Sequence, residues 1–181
     1  MALDEMVDGK GGLRPHWRGL LGVLTGLGRA TLVERAQRLQ RIATEEGVSN
    51  LLPGAPPDPW SFDPIPVLLP QADFARLASG LAQRARLLDA VLGDLYGPQR
   101  LLAEGVLPPA LVYGNPGFLR PCHMVSDQAR SGLLRFYAAD LVRGPDGDWR
   151  VLADRTGWPN GLAHALENRR RLGRILPEIF A

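Results

Sequence analysis

The sequence predicts an α+β fold: a helical N-terminal half, then a small antiparallel sheet with a C-terminal helix. Three observations predict it. Apolar residues recur at helical spacing over 31–47 and again over 71–95. A proline-dense segment, 48–70, separates the two runs. Beyond residue 130 the pattern changes to two apolar stretches joined by a turn rich in glycine and aspartate. The 181 residues are read as a single domain, long enough to bury a core, with 1–105 mainly helical and 106–181 carrying the hairpin and last helix.

Taken in order, Thr31 and Glu34 have the spacing of a capping box. Leu32, Ala36, Leu39 and Ala43 then recur until Gly47 stops the run. Segment 48–70 is too rich in proline for a regular helix and too apolar, with Trp60 and Phe62, for a free linker. It is read as an extended strap across the core. A long amphipathic helix is predicted over Gln71–Leu95, its stripe formed by Phe74, Leu77, Leu81, Leu88, Val91, Leu92 and Leu95 and its end set by Gly97-Pro98. A short helix, PQRLLAE, follows, and ALVYG (110–114) is predicted as a short strand. LLRFYAADLVR (133–143) and WRVLADRT (149–156), joined by GPDGD, form the predicted β-hairpin. Simple alternation would put Arg150, Leu152 and Asp154 on one face. Pro159-Asn160-Gly161 then opens the last helix, with Asn160 as N-cap and Leu162, Ala165, Leu166, Leu172, Ile175 and Leu176 as its apolar stripe.

Composition excludes several classes. Twenty-one basic residues stand against 19 acidic ones, a net charge of +2, which gives no reason to expect a nucleic-acid partner. The apolar stretch LLGVLTGLG is too short and glycine-rich to span a bilayer, so no membrane partner is expected. Cys122 is the lone cysteine, which rules out an internal disulfide and points to a reducing, cytoplasmic setting. His16, His123 and His164 have no zinc-ligand spacing, and neither a Walker loop nor a dinucleotide glycine motif occurs.

The chemistry-bearing residues gather near the C-terminus. Asp154 ends a strand, where loops build sites on a rigid base. Asn160 and Gly161 begin a helix, whose free N–H groups suit a phosphate. Arg169 falls on the apolar stripe three residues after Leu166 and needs a partner there, because burying an unpaired charge is costly. Glu167 and Asn168 stand beside it. Asp, Glu and an Asn carbonyl are oxygen donors of the kind Mg²⁺ takes. The same residues also read as a structural Arg–Asp pair within a solvated charge run, and spacing alone favours that plainer reading. Arg120, in GNPGFLRPCH, has the fork geometry to grip a carboxylate or phosphate, or to brace its loop.

A resemblance adds to this. DEM (4–6), RPHW (14–17), DPIP (63–66), QRARLLD (83–89), DLYGPQRLL (94–102), GFLRPCH (117–123), YAADL (137–141), LADRT (152–156) and ALENR (165–169) occur in order along nearly the whole chain. Together they resemble the circularly permuted type 2 ATP-grasp family. The resemblance implies part of that fold and an ATP-dependent carboxylate–amine ligase, with ATP and Mg²⁺ as cofactors and a small amine and a carboxylate as substrates. It implies Asp154, Glu167 and Asn168 as metal ligands and Arg155 as the catalytic guanidinium facing the transferred phosphate. Asn160, Gly161 and Arg169 would meet the nucleotide and Arg120 the substrate. In the family the adenine-clamping half lies downstream, so this chain is expected to be an N-terminal part, inactive alone, whose partner is that half or a second chain carrying it. The turn departs from the family's usual TQAPSGAGYALENR, reading TGWPNGLAHALENR, and Glu167 and Asn168 are adjacent rather than spaced by one. The alternative implied by those departures is a non-catalytic binding or scaffold module of the same fold.

Overall fold

The computed structural model describes residues 4–47, 63–124, 131–157, 159 and 161–180, with the backbone of 49–50 and 58–59. Among the described residues, nine α-helices and strands follow in chain order: α1 (Arg18–Glu45), β1 (Ser49–Asn50), β2 (Asp58–Pro59), α2 (Gln71–Leu95), α3 (Arg100–Ala103), α4 (Pro109–Tyr113), β3 (Ala138–Arg143), β4 (Trp149–Arg155) and α5 (Leu162–Ile175). Helices and small antiparallel sheets together make the architecture α+β, as the sequence predicts. The chain divides into two compact units, Met1–Pro70 with Asn160–Ala181, and Gln71–Pro159.

In the first unit, α1 begins earlier than the Thr31 signal, directly after a 3₁₀ turn at Pro15–Trp17. It contains a break at Gly28, whose φ of 74° and ψ of 160° belong to no helix and suit a residue without a β-carbon. The glycines at 19, 22, 26 and 28 hide the first segment from a periodicity search, yet Leu20 and Leu24 are buried there with Trp17, against Met6, Leu13 and Leu68. After the break, Leu39 packs with Leu172, Ile175 and Leu176 of the C-terminal segment. Arg35 seals this contact. Its guanidinium donates to the Ile175 carbonyl at 2.8 Å and forks onto Glu178 at 2.8 and 2.9 Å, placing a cation where the end of α5 exposes its carbonyls.

Two expectations about α5 are corrected. Leu162 and Leu166 are exposed, and the arginine on the buried face is Arg171, 1% exposed, while Arg169 faces outward. The inward face runs through Asn168, Arg171, Leu172 and Ile175, a register offset from the stripe that Leu162 and Leu166 suggest. The buried charge is met by Glu46 at 2.6 Å and Glu167 at 3.2 Å, and Arg170 and Arg174 also reach Glu46. In the strap, β1 and β2 pair antiparallel, and Leu68 joins the Trp17 cluster. The strap's Trp60 and Phe62 lie outside the described residues.

In the second unit, α2 has the predicted bounds, although Phe74 on its expected stripe is exposed. The buried Asp94 accepts from the N–H groups of Arg100 and Leu101 at 3.0 Å each, satisfying donors that the first turn of α3 leaves open. Residues 110–113 are helical, not a strand. Pro109 occupies a first-turn position and fixes φ, and five residues bounded by proline and glycine give too little length for ladder pairing. The hairpin forms, but β3 starts at Ala138 rather than 133. The segment before it is tied to α2 by Asp89, which accepts from Gly132 at 2.7 Å and Leu134 at 2.8 Å. At the turn, Gly147 takes φ 86° and donates to the Gly144 carbonyl at 2.9 Å.

Candidate functional site

The position of Asp154 is decided by one extra residue. β3 and β4 pair as Arg143↔Trp149, Val142↔Arg150 and Leu141↔Val151, then as Asp140↔Ala153 and Ala139↔Asp154. Leu152 is left without an opposite number, a β-bulge. Because Leu141 and Ala139 lie on one face of β3, Asp154 shares that face with Val151. It does not share the face of Arg150 and Leu152, as alternation predicts. Burial agrees: Arg150 and Leu152 are exposed, and Val151 and Asp154 are partly buried.

On that face α2 supplies Arg84. Its Nε donates to Asp154 Oδ1 at 2.6 Å and its Nη2 to Oδ2 at 2.7 Å, a bidentate fork. The Tyr137 hydroxyl donates to Oδ1 at 2.7 Å. The hydrogen bonds from Arg84 and then Tyr137 outweigh burial and hold the Asp154 carboxyl at about 2. Burial, and then the Asp154 carboxylate it serves, push the Tyr137 hydroxyl up. Arg155 takes the opposite face and pairs with Asp140, Nη2 at 2.6 Å and Nε at 3.0 Å.

The remaining predicted residues divide between the two units. Gly161 is the N-cap of α5, with φ 99°; Asn160, expected in that role, lies outside the described residues. Glu167 accepts from Arg170 at 3.0 Å and Arg171 at 3.2 Å, and those guanidiniums, Arg170 first, hold its carboxyl below the usual range. Asn168 and Arg169 line a cavity of about 890 Å³ with Asp63, Val67, Leu68 and Phe180. The Arg169 guanidinium lies 5.0 Å from the Phe180 ring centre. Arg120, exposed in the second unit, lies 5.6 Å from the Tyr113 ring centre.

Glu167, Asn168 and Arg169 are thus consecutive on α5 of the first unit. Asp154 and Arg155 are consecutive on β4 of the second and point to opposite faces. The donor set, two carboxylates and an amide, fits a hard cation chemically. Among the described residues, no three His, Cys, Asp or Glu side chains are gathered to hold a metal, and each of the two carboxylates carries guanidinium partners. Sequence reasoning missed Arg84 and Tyr137. Both lie inside the quoted segments QRARLLD and YAADL, but an arginine on a polar helix face gives no sign of which carboxylate it meets. No helix among the described residues is long and apolar enough to cross a membrane.

Comparison with known proteins identifies the family. Residues 66–181 match the family described as circularly permuted ATP-grasp type 2. An uncharacterised protein of Mycobacterium tuberculosis strain H37Rv is 36% identical over 188 residues, which cover 98% of this chain and 21% of the relative. A Frankia alni protein, provisionally named glutamate–cysteine ligase 2-3, is 37% identical over 179 residues, covering 97% of this chain and 20% of the relative. An uncharacterised Mycobacterium leprae protein is 33% identical over 183 residues, covering 100% of this chain and 32% of the relative. The chain therefore spans between about a fifth and a third of the length of these curated relatives. On the match over 66–181, which contains the strand carrying Asp154 and the helix carrying Glu167 and Asn168, the chain belongs to the circularly permuted ATP-grasp type 2 family.

Proposed function

We propose that this chain is the N-terminal, metal- and phosphate-facing part of an ATP-dependent carboxylate–amine ligase. The observation that carries the reading is the family match over 66–181, which takes in Asp154, Arg155, Glu167 and Asn168 in one stretch. The provisional name of the Frankia relative supports an amino-acid carboxylate and an amine as the substrate class. Asp154, Glu167 and Asn168 are the oxygen donors for Mg²⁺, which when bound neutralises the charge of the transferring phosphate. Arg155 has a guanidinium more than half exposed at the end of β4 and faces the phosphoryl group. Gly161 caps α5, whose N-terminal N–H groups receive phosphate oxygens, and Asn160 and Arg169 are further contacts for the nucleotide. Arg120 grips the substrate carboxylate. The relatives are about three to five times as long as the stretch matched here, and this reading assigns the adenine-binding half to that additional length or to a partner chain. The lone Cys122 suits a cytoplasmic setting.

The test is Asp154→Asn in the longer ligase, with Mg²⁺-dependent ATP hydrolysis as the readout. Turnover falls by about 10²- to 10³-fold if Asp154 holds the metal, in line with the loss of one transition-state electrostatic contact. Turnover at the parent rate rejects the metal assignment.

One observation favours a second reading, a non-catalytic scaffold. Both oxygens of Asp154 are held by Arg84, and Arg155 is paired with Asp140. A chain that binds a protein partner, yet shows no Mg²⁺–nucleotide effect when complemented with the adenine-binding half, decides for this reading.

A further inference from the structure

Within the second unit, helix α2 and the β3–β4 hairpin line a groove of about 1020 Å³, at the upper end of the range for small-ligand sites. Its floor is apolar, with Leu77, Leu81 and Leu87 from α2 and Val151 from β4. From Leu77 to Leu87 this floor runs roughly 15 Å along the helix. Leu87 is 62% exposed, so the floor lies open to an apolar group.

Gly80 stands on the same wall, inside α2. A glycine inside a helix weakens it relative to alanine, and here neither backbone nor packing asks for one. Its φ is not positive, and a β-carbon built on it would meet no atom within 4 Å. What the missing side chain leaves is open space over the apolar floor.

The charge on the wall is one-sided. Among the described residues Arg76, Arg84, Arg86 and Arg150 line the groove against one acid, Asp148. Three of the four have acidic partners outside the lining: Arg76 meets Asp73 at 2.8 Å, Arg84 meets Asp154 at 2.6 Å, and Arg150 meets Asp146. Arg84 is committed through two nitrogens, but Arg76 and Arg150 each give only one. Arg86 has no ion pair among the described residues. Such a wall repels cations and attracts anions, and guanidinium forks match the oxygens of a carboxylate or phosphate.

From this geometry we propose that the groove binds an amphipathic organic anion. Its apolar body lies over Gly80 and the leucines, and its carboxylate or phosphate head is held by the rim arginines, Arg86 first. The site is separate from Arg120 and does not require Asp154 to hold a metal.

The experiment is a titration of the chain with octanoate, octyl phosphate and octylammonium, three probes with the same apolar chain. Binding is read from the amide resonances of Gly80, Leu87 and Val151, and folding of each variant by circular dichroism. Both anions shift these resonances to saturation, the tighter one naming the head group, and octylammonium binds at least about tenfold more weakly. Gly80→Leu fills the groove and weakens both anions at least about tenfold, while the melting temperature of the chain holds or rises. Arg86→Gln weakens them about three- to fivefold, the loss of one exposed charge, and Arg86→Lys recovers part of that loss. Equal affinity for octylammonium and octanoate overturns the proposal. So does anion binding that Gly80→Leu leaves unchanged, or no saturation by either anion at millimolar concentration. Should Gly80→Leu fail to fold, Leu87→Glu decides instead, because it sets an acid beside the bound anion at an exposed position. Octanoate affinity unchanged in that variant rejects the groove as the site.

Discussion

Asp154 carries a stability that depends on acid. Its carboxyl titrates at about 2 in the folded chain against an ordinary value of 3.8, because Arg84 and Tyr137 bind the ionised form. A depressed folded pKa means that the contribution is complete above 3.8 and is lost as pH falls toward 2. The parent should therefore exceed Asp154→Asn in unfolding free energy at pH 5, and the gap should close between pH 4 and 2, as urea unfolding at each pH measures. A gap that holds constant through that window rejects the linkage. Arg171 is the opposite case, a charge 1% exposed and bridged to Glu46 and Glu167. Arg171→Ala is expected to destabilise the chain by about 3 kcal/mol, since it strips both the packing of the stem and the charge partner of the acids. Arg171→Met restores the stem and recovers part of that loss. Equal losses in the two variants would assign the effect to charge alone.

At the scale of elements, legibility follows the length of the periodic signal. Helix α2 is read to both of its ends because 25 residues of amphipathic spacing stop at Gly97-Pro98. The hairpin is read from its turn, and its register is not. A bulge at Leu152 leaves no mark in a pattern that alternates on either side of it, so the face of Asp154 is mistaken by one residue. ALVYG misleads for a related reason: five residues hold too little pattern, and β-branched content yields to the fixed φ of Pro109. The α5 stripe is offset because an arginine stem, not a leucine, fills the buried position at 171. Deleting Leu152 removes the bulge and leaves Val151, Ala153 and Asp154 in strict alternation, with Asp154 still on the face of Val151 toward Arg84. That variant should keep the acid-range component of stability that Asp154→Asn loses, as urea unfolding across pH 4 to 2 measures. At the turn, Gly147 takes φ 86° with open space where a β-carbon would stand, so Gly147→Ala should cost only the conformational term, about 1 kcal/mol.

The whole molecule divides its apolar burial unevenly. In the first unit, Trp17, Leu20, Leu24, Leu39, Leu172, Ile175 and Leu176 are all buried, whereas in the second Val112 is the large apolar side chain that reaches that class among the described residues. The second unit meanwhile exposes Leu87, Leu111, Leu119, Phe136 and Leu152, each more than half accessible. Single exposed leucines are ordinary, but a unit with this balance has apolar surface suited to a covering partner. The expectation of a further half comes from the family resemblance alone, because periodicity marks which residues are apolar and not what covers them. If the adenine-binding half covers this surface, the chain alone should enhance the fluorescence of an apolar dye such as ANS. Adding the separately purified half should suppress that signal in step with complex formation, read by analytical ultracentrifugation, and should slow amide exchange in β3 and β4. Leu152→Glu, on the exposed face of the hairpin, should then weaken association at least about tenfold while leaving the melting temperature of the chain itself unchanged. A complex that forms with parent affinity in Leu152→Glu removes the hairpin from the interface, and a dye signal indifferent to the added half rejects that half as the cover for these residues.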